Sequence, residues 1–193
     1  MSEIKIKHRV FTFLEERSEN SFLATHKDKT YEIFKFDYST ESGDALVYAL
    51  NRIKNAGIKA PKIFLIDKKQ GYAVREYLEG ETVMKYISRQ DLPEDFYRQI
   101  YLNQYLAKIN RMTLNYEIDK WIVVDNTLYY VAPQFIMYNE EKDLVKKYIR
   151  LWFNTRELVK YLNAHGLSFD NSRLKDELAT NKEIVLMACK YYK

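Results

Sequence analysis

Two stretches decide the fold: Lys62–Val83, KIFLIDKKQGYAVREYLEGETV, and Trp121–Gln134, WIVVDNTLYYVAPQ. Each contains two short runs rich in β-branched and aromatic residues, and a polar segment separates the two runs. The polar segments are Lys68–Gly71 and Asp125–Thr127, and Asp and Asn are favourable turn residues. Both stretches therefore predict β-hairpins.

The residues before the first hairpin predict more strands and one helix. From Ile4 to Phe36 apolar and polar residues alternate, which predicts antiparallel strands with a turn at His26–Lys29. Asp44–Ala56 carries apolar residues at helical spacing, and Gly57 follows as a C-terminal cap. The predicted order is strand, strand, strand, helix, strand, strand.

Helical patterns dominate after Gly80. Thr82–Ile87 predicts a short helix and Pro93–Met112 a long one. The apolar side of the long helix is predicted to consist of Phe96, Ile100, Leu102, Tyr105, Leu106 and Ile109. The remaining predicted helices are two within Glu140–Asn163, broken near Asn154–Thr155, then Leu174–Ala179 and Lys182–Tyr191. A β-rich first part and a helical second part predict an α+β protein.

Composition narrows the class of protein. The chain has 193 residues, of which 47% are hydrophobic and 30% charged, and these values exclude a disordered protein. The net charge of +4 is a mild excess and by itself weak evidence for nucleic-acid binding. The single cysteine, Cys189, excludes an internal disulfide. With a charged N-terminus and no long apolar run, the sequence predicts a cytoplasmic protein without a membrane segment.

Several of these segments resemble the protein-kinase-like superfamily. Ser21–Phe36, SFLATHKDKTYEIFKF, resembles the second and third kinase strands, and Leu106–Asn110, LAKIN, the end of the helix before the catalytic loop. Asn55–Thr82 resembles the hinge region of atypical and small-molecule kinases, namely aminoglycoside and choline phosphotransferases, the RIO group and the small KEOPS-complex kinase. The resemblance implies a two-lobed fold, with a β-rich N-lobe at 1–78 and a reduced helical C-lobe at 79–193. The hairpin near 121–131 is then the metal-loop hairpin.

The resemblance also implies a nucleotide site. Lys35 stands at the position of the lysine that contacts phosphates, and it should face Ala132 across a cleft. The hinge residues Glu76, Tyr77 and Leu78 should contact the nucleotide, with ATP as the candidate ligand. Kinases pair this lysine with a helix glutamate; Glu41 and Asp44 lie near that place, although Leu46 fits the register best.

The residues that perform phosphoryl transfer are replaced. Ala132-Pro133-Gln134 stands in place of Asp-Phe-Gly, Lys120 in place of the metal-binding Asn, and Asn115 in place of the catalytic-base Asp. An ammonium group cannot ligate magnesium, and a carboxamide cannot take a proton from a hydroxyl group. The phosphate loop, expected near Glu15–Ser21, contains no glycine. We therefore expect no metal site and no kinase activity, but a pseudokinase-type scaffold that binds a protein partner.

Three alternatives remain open at the sequence level. Lys120 could take the place of the metal, so that nucleotide binds without magnesium. The chain could instead be an active atypical phosphotransferase that uses a displaced acidic residue, Asp119 or Asp125. It could also be an RNA-binding accessory protein with a basic helical stripe interleaved with Tyr148, Trp152 and Phe153. The stripe consists of Lys142, Lys146, Lys147, Arg150 and Arg156.

Self-association through the Tyr-rich strand at Leu128–Val131 would make a homodimer.

Overall fold

The fold is mixed α+β, as the sequence predicts, with 42% helix and 28% strand in the computed structural model. The structure describes residues 2–37 and 41–192, without the side chains of 41–43. The chain divides into two compact units, residues 1–55 with 60–79, and residues 56–59 with 80–193. Among the described residues, no helix combines the length and apolar character needed to cross a bilayer.

A six-stranded antiparallel sheet forms the first unit. Its strands are β1 (Glu3–Ile6), β2 (Arg9–Ser18), β3 (Ser21–His26), β4 (Lys29–Lys35), β5 (Ile63–Asp67) and β6 (Tyr72–Glu76). The strands lie side by side in the order β1-β2-β3-β4-β6-β5, and helix α1 (Glu41–Asn55) connects β4 to β5. Lys27 and Asp28 both have positive φ, which fits a two-residue hairpin turn at the predicted place. Gly57, at φ 75, adopts the conformation expected after a helix end.

The two faces of this sheet bury different clusters. On one face Ile6, Phe11, Phe22, Ala24, Tyr31, Ile33 and Val74 form a cluster that we call the Ile33 cluster. On the other face Phe34 and Ala73 pack with Leu50 of α1, and we call this the Phe34 cluster. Side chains alternate along β4, so odd-numbered residues point to the first cluster and even-numbered residues to α1.

The curled sheet is held by a side-chain amide. Gln70, in the turn between β5 and β6, accepts a hydrogen bond from Lys7 N–H (2.9 Å) and donates one to the Lys5 carbonyl (3.3 Å). The Gln70 amide therefore makes the bonds that a neighbouring strand would make with β1. This contact joins the beginning of the sheet to the β5–β6 turn.

Short strands and helices make up the second unit. They are β7 (Glu81–Thr82), α2 (Val83–Arg89), α3 (Glu94–Ile109), β8 (Met112–Thr113), β9 (Trp121–Val124), β10 (Thr127–Tyr130), β11 (Ile136–Met137), α4 (Arg156–Ala164) and α5 (Glu177–Tyr191). The predicted hairpin is confirmed as β9 and β10. Its turn has only two residues, Asp125 and Asn126, both with positive φ, because Thr127 pairs with Val124.

The first helix predicted within Glu140–Asn163 is confirmed only as short helical segments. Residues 140–152 form short 3-10 and π turns instead of an α-helix. Side chains bond to the backbone there: Asp143 accepts from Lys146 N–H (3.0 Å), and Thr155 Oγ1 donates to the Arg150 carbonyl (2.7 Å). The Asp143 bond caps the first turn of Leu144–Tyr148, and the Thr155 bond binds a carbonyl near the end of the segment. The predicted break is confirmed, because Thr155 caps α4 by accepting from Leu158 N–H.

Two further predictions differ from the structure. The last two predicted helices are one helix, α5. On α3, Leu102, Tyr105 and Ile109 are exposed instead of buried, whereas Asn103 and Gln104 are buried. Asn103 donates to the Gln99 carbonyl and Gln104 Nε2 donates to Asp143, whereas the buried Gln104 Oε1 has no hydrogen-bond partner among the described residues.

Candidate functional site

Lys35 ends β4 on the face away from α1. Its Nζ lies 5.5 Å from the centroid of the Phe22 ring, which belongs to the Ile33 cluster. Helix α1 packs on the opposite face, so its residues do not reach Lys35 through the sheet. Of the two acidic candidates for pairing, Asp44 is exposed, and the Glu41 side chain lies outside the described residues. No ion pair joins Lys35 to any side chain that the structure describes.

A different charged pair occupies the α1 face. Arg75 of β6 donates through Nε (2.9 Å) and Nη2 (2.7 Å) to Glu32 Oε2 of β4. The Arg75 guanidinium also lies 4.6 Å from the Phe34 ring centroid, and Arg75 is only 5% exposed. The sequence analysis missed this pair, because its members are 43 positions apart and neither belongs to a motif. The sheet therefore presents a glutamate, not a lysine, next to α1.

The predicted hinge residues lie at the other end of the ladder from Lys35. Glu76 is paired with Tyr31, whereas Lys35 is paired with Tyr72. Four residue steps along β4 correspond to about 13 Å. The Glu76 N–H donates to the Lys62 carbonyl (2.8 Å), and the Tyr77 ring lies 5.8 Å from the Arg17 guanidinium. Lys35 and the segment Glu76–Leu78 thus do not converge within the first unit.

The segment predicted as a phosphate loop is a tight hairpin. Ser18 pairs directly with Ser21, so only Glu19 and Asn20 form the turn between β2 and β3. Arg17, the local cation, is paired with Glu15 at 3.3 Å. A two-residue turn that carries a carboxylate offers no run of backbone N–H groups for phosphates.

Asn115 is fixed in a turn of the second unit. Its Oδ1 accepts from Glu117 N–H (2.9 Å), and its Nδ2 donates to Glu117 Oε2 (3.1 Å). Its carbonyl accepts from the Trp121 indole (3.0 Å), and its N–H donates to the Tyr130 hydroxyl (3.2 Å). All four polar groups of Asn115 are therefore engaged in holding the loop before β9.

Lys120 and Asp119 form a pair next to this loop. Lys120 Nζ donates to Asp119 Oδ2 (2.5 Å), and the Tyr161 hydroxyl of α4 donates to Asp119 Oδ1 (2.9 Å). Burial raises the pKa of Tyr161 well above its ordinary value, and the hydrogen bond to Asp119 adds to the shift. Both carboxylate oxygens of Asp119 are thus engaged by donors, and the ammonium group of Lys120 has an anionic partner.

Asp125 and Asp119 lie at opposite ends of β9. Asp119 lies in the turn Ile118–Lys120 before β9, and Asp125 lies in the exposed two-residue turn after it. The four residue steps from Trp121 to Asp125 extend the backbone by about 13 Å. The two displaced acidic candidates therefore cannot share one metal ion. Within residues 2–37 and 44–192, no group of three His, Cys, Asp or Glu residues could hold a metal ion.

The residues of the predicted RNA-binding stripe do not lie on the surface of one α-helix. Residues 140–152 do not form one α-helix, and Tyr148, Trp152 and Phe153 are buried, with at most 8% exposed. The Trp152 indole donates to the Tyr116 carbonyl (2.9 Å), and the Tyr97 hydroxyl to the Trp152 carbonyl (3.0 Å). These aromatic rings are core residues and cannot stack on bases.

The strand predicted to self-associate is already covered. Leu128 N–H of β10 donates to Gln99 Oε1 (2.8 Å), and Gln99 Nε2 donates to the Asn126 carbonyl (2.9 Å). Tyr130 N–H donates to the Lys59 carbonyl (2.8 Å), and the side chains of Leu128 and Tyr130 are buried. The Leu128–Val131 strand therefore offers little free edge for a second copy.

Comparison with known proteins does not assign the chain to a family. The sequence matches no protein-family model. No curated protein is similar to it at a significant level.

Proposed function

We propose that this chain is a degenerate protein-kinase-like protein that acts by binding rather than by phosphoryl transfer. The proposal includes two lobes divided near residue 79, a protein partner, and a cytoplasmic location. The exposed thiol of Cys189 suits a reducing compartment. A weakly held nucleotide, bound without magnesium, is compatible with the proposal. The expected approach of Lys35 to Ala132 stays a prediction.

The order of the strands in the first unit supports the kinase-like part. The segments compared with the second and third kinase strands are β3 and β4, which are antiparallel neighbours. Helix α1 follows β4. In kinases the helix that carries the paired glutamate follows the third strand in the same way. The segment resembling the hinge lies at the end of the first unit, and helices follow in the second.

The state of the loop before β9 carries the argument against catalysis. A kinase needs a carboxylate to accept the substrate proton and an amide or carboxylate to hold magnesium in this loop. Asn115 uses all its polar groups to fix the loop, and Lys120 is paired with Asp119. Substitutions that introduced a catalytic base and a metal ligand into this loop would also break these contacts.

Exposed apolar side chains support the protein-binding part. On α5, Leu178, Val185 and Leu186 are 66%, 59% and 61% exposed. A helix with apolar residues on its outer side as well as its inner side is unusual at a solvated surface. Burial of these side chains against a protein partner would remove this apolar area from water.

Release of inorganic phosphate from ATP tests the proposal. We expect wild-type protein to show no magnesium-dependent release above the protein-free rate. Asp119→Asn and Asp125→Asn should leave the rate unchanged, as should the matched control Asp28→Asn, which changes an exposed turn residue of the first unit with positive φ. Magnesium-dependent release that Asp119→Asn or Asp125→Asn abolishes and Asp28→Asn retains would establish the phosphotransferase alternative instead.

A further inference from the structure

The outer side of α3 carries exposed apolar residues. Leu102, Tyr105 and Ile109 are 52%, 36% and 56% exposed. The inner side of the same stretch buries two amides, Asn103 and Gln104. A surface helix usually turns its apolar residues to the core and its polar residues to water. Along this part of α3 the arrangement is partly reversed, so a row of apolar side chains faces outwards.

Tyr192, which follows α5, enlarges this surface. Its ring centroid lies 6.4 Å from that of Tyr101 and 5.4 Å from Lys108 Nζ, and it is 39% exposed. Tyr101 and Lys108 are four residues before and three residues after Tyr105, so they lie on its side of the helix. We call Tyr192 and the three exposed apolar residues of α3 the α3 ridge.

The α3 ridge is large enough to be a binding surface. With about 150–250 Å² for each large side chain, the exposed fractions of its four members leave roughly 300–450 Å² of surface in water. The largest apolar patch of a typical monomer has about 300–600 Å², and such patches often bind another molecule.

We propose that the α3 ridge binds the α3 ridge of a second copy of this chain. Leu102, Tyr105 and Ile109 follow the spacing i, i+3, i+7, which is the narrow apolar seam of two paired helices. Two copies that meet about a two-fold axis use the same surface, which must therefore be complementary to itself. The α3 ridge meets this condition when the two helices are antiparallel.

Apolar contacts favour one antiparallel register. A two-fold axis between Leu102 and Tyr105 packs each Leu102 against Tyr105 of the second copy. In this register Ile109 lies opposite Arg98 of the second copy, which is exposed on the outer side of α3. The aliphatic stem of an arginine covers apolar surface while its guanidinium stays in water. Every exposed apolar residue of α3 on the ridge thus has a partner.

Opposite charges meet at both ends of the same register. Asp95 lies near the start of α3 and Arg111 just after its end, and both are exposed. Asp95 of each copy lies beside Arg111 of the other. Within residues 2–37 and 44–192 no carboxylate pairs with Arg111, whereas Asp95 is bound only by its neighbours on α3, Arg98 (2.6 Å) and Gln99 (2.6 Å). The second copy therefore supplies a counter-charge for Arg111.

Sedimentation velocity between about 5 and about 300 µM protein tests the proposal, because a ridge of about half the area of a standard interface gives a weak, reversible dimer. Wild type should change from monomer to dimer over this range. Leu102→Glu places two carboxylates at the centre of the contact and should weaken the dimer at least about tenfold. Val185→Glu is the matched control, because Val185 is 59% exposed on the outer side of α5, and it should dimerise like wild type. Melting temperatures confirm that both variants are folded.

Exchange of the two end charges tests the register. Asp95→Arg and Arg111→Asp should each weaken the dimer at least about threefold, and the double variant should restore it. Aspartate also tolerates the positive φ of Arg111 (56°). Wild type that stays monomeric, equal weakening by Leu102→Glu and Val185→Glu, or no restoration in the double variant would overturn the proposal. None of these outcomes bears on phosphate release from ATP, because this self-association does not rest on the kinase-like ancestry.

Discussion

Asn115 and Lys120 are held by local contacts. Asn115 and Lys120 stand where the resemblance places a base and a metal ligand, but both have local structural partners. Asn115 bonds to Glu117, and Lys120 bonds to Asp119. That they replace a base and a metal ligand stays a prediction. The sequence analysis could not predict the Glu32–Arg75 pair, because that pair depends on the register between β4 and β6.

Asp143 gives a prediction about pH at the residue scale. Its carboxylate is 2% exposed, and burial raises its pKa above the ordinary value of 3.8, although backbone N–H groups of residues 145 and 146 oppose the shift. Between 3.8 and the raised pKa the folded chain holds more protons than the unfolded chain, so this carboxylate lowers stability as pH rises. Asp143→Asn cannot ionise, and its unfolding free energy relative to wild type should therefore increase with pH across this window. Urea unfolding at several pH values measures that difference.

Asp91 supplies a control of opposite sign. The hydrogen bond from Asn154 lowers the pKa of Asp91, and Arg173 adds to the effect. Asp91→Asn should therefore lose stability relative to wild type as pH rises from below the lowered pKa to above 3.8. If Asp143→Asn instead followed the same direction as Asp91→Asn, the account of Asp143 as a carboxylate penalised by burial would be wrong.

At the scale of elements, local signals predicted hairpins better than helices. Asp28, Asp125 and Asn126 are residue types that tolerate the positive φ of the two hairpin turns, whereas Lys27 adopts it without such a preference. Residues 140–152 have helical spacing but form short 3-10 and π segments, and the spacing alone does not distinguish these from an α-helix. The inner side of α3 was also mispredicted, because Gln104 is buried with Asp143 as its partner. Such partners lie far away in the chain and leave no periodic signal.

The covered edge of β10 gives a prediction for an element. Gln99→Ala removes three side-chain hydrogen bonds, two to the β9–β10 hairpin and one to Asp95. We therefore expect the unfolding free energy to fall by about 1–3 kcal/mol. The freed N–H of Leu128 and carbonyl of Asn126 should also promote self-association at the strand edge. Urea unfolding and size-exclusion chromatography with light scattering measure the two effects. Gln90→Ala, at an exposed glutamine after α2, is the control, and equal stability losses in both variants would contradict this role of Gln99.

At the scale of the whole molecule, the sequence predicted the α+β class from a β-rich first part and a helical second part. The closure of the first sheet by Gln70 could not be predicted, because it arises when residues distant in the sequence meet. The kinase-like resemblance rests on separate segments of the chain, not on the whole of it, and it stays a prediction.

The most direct test of the central claim is a thermal-shift titration with ATP and ADP, each with and without magnesium. The proteins compared are wild type, Lys35→Ala and the control Lys29→Ala. Our account predicts that magnesium changes none of the melting temperatures, because no described group of acidic residues can hold the ion. A ligand at about 100 times its dissociation constant adds roughly 2.7 kcal/mol of stability, which such a titration detects easily. A magnesium-dependent rise that Lys35→Ala abolishes and Lys29→Ala retains would contradict the account and establish a working nucleotide site.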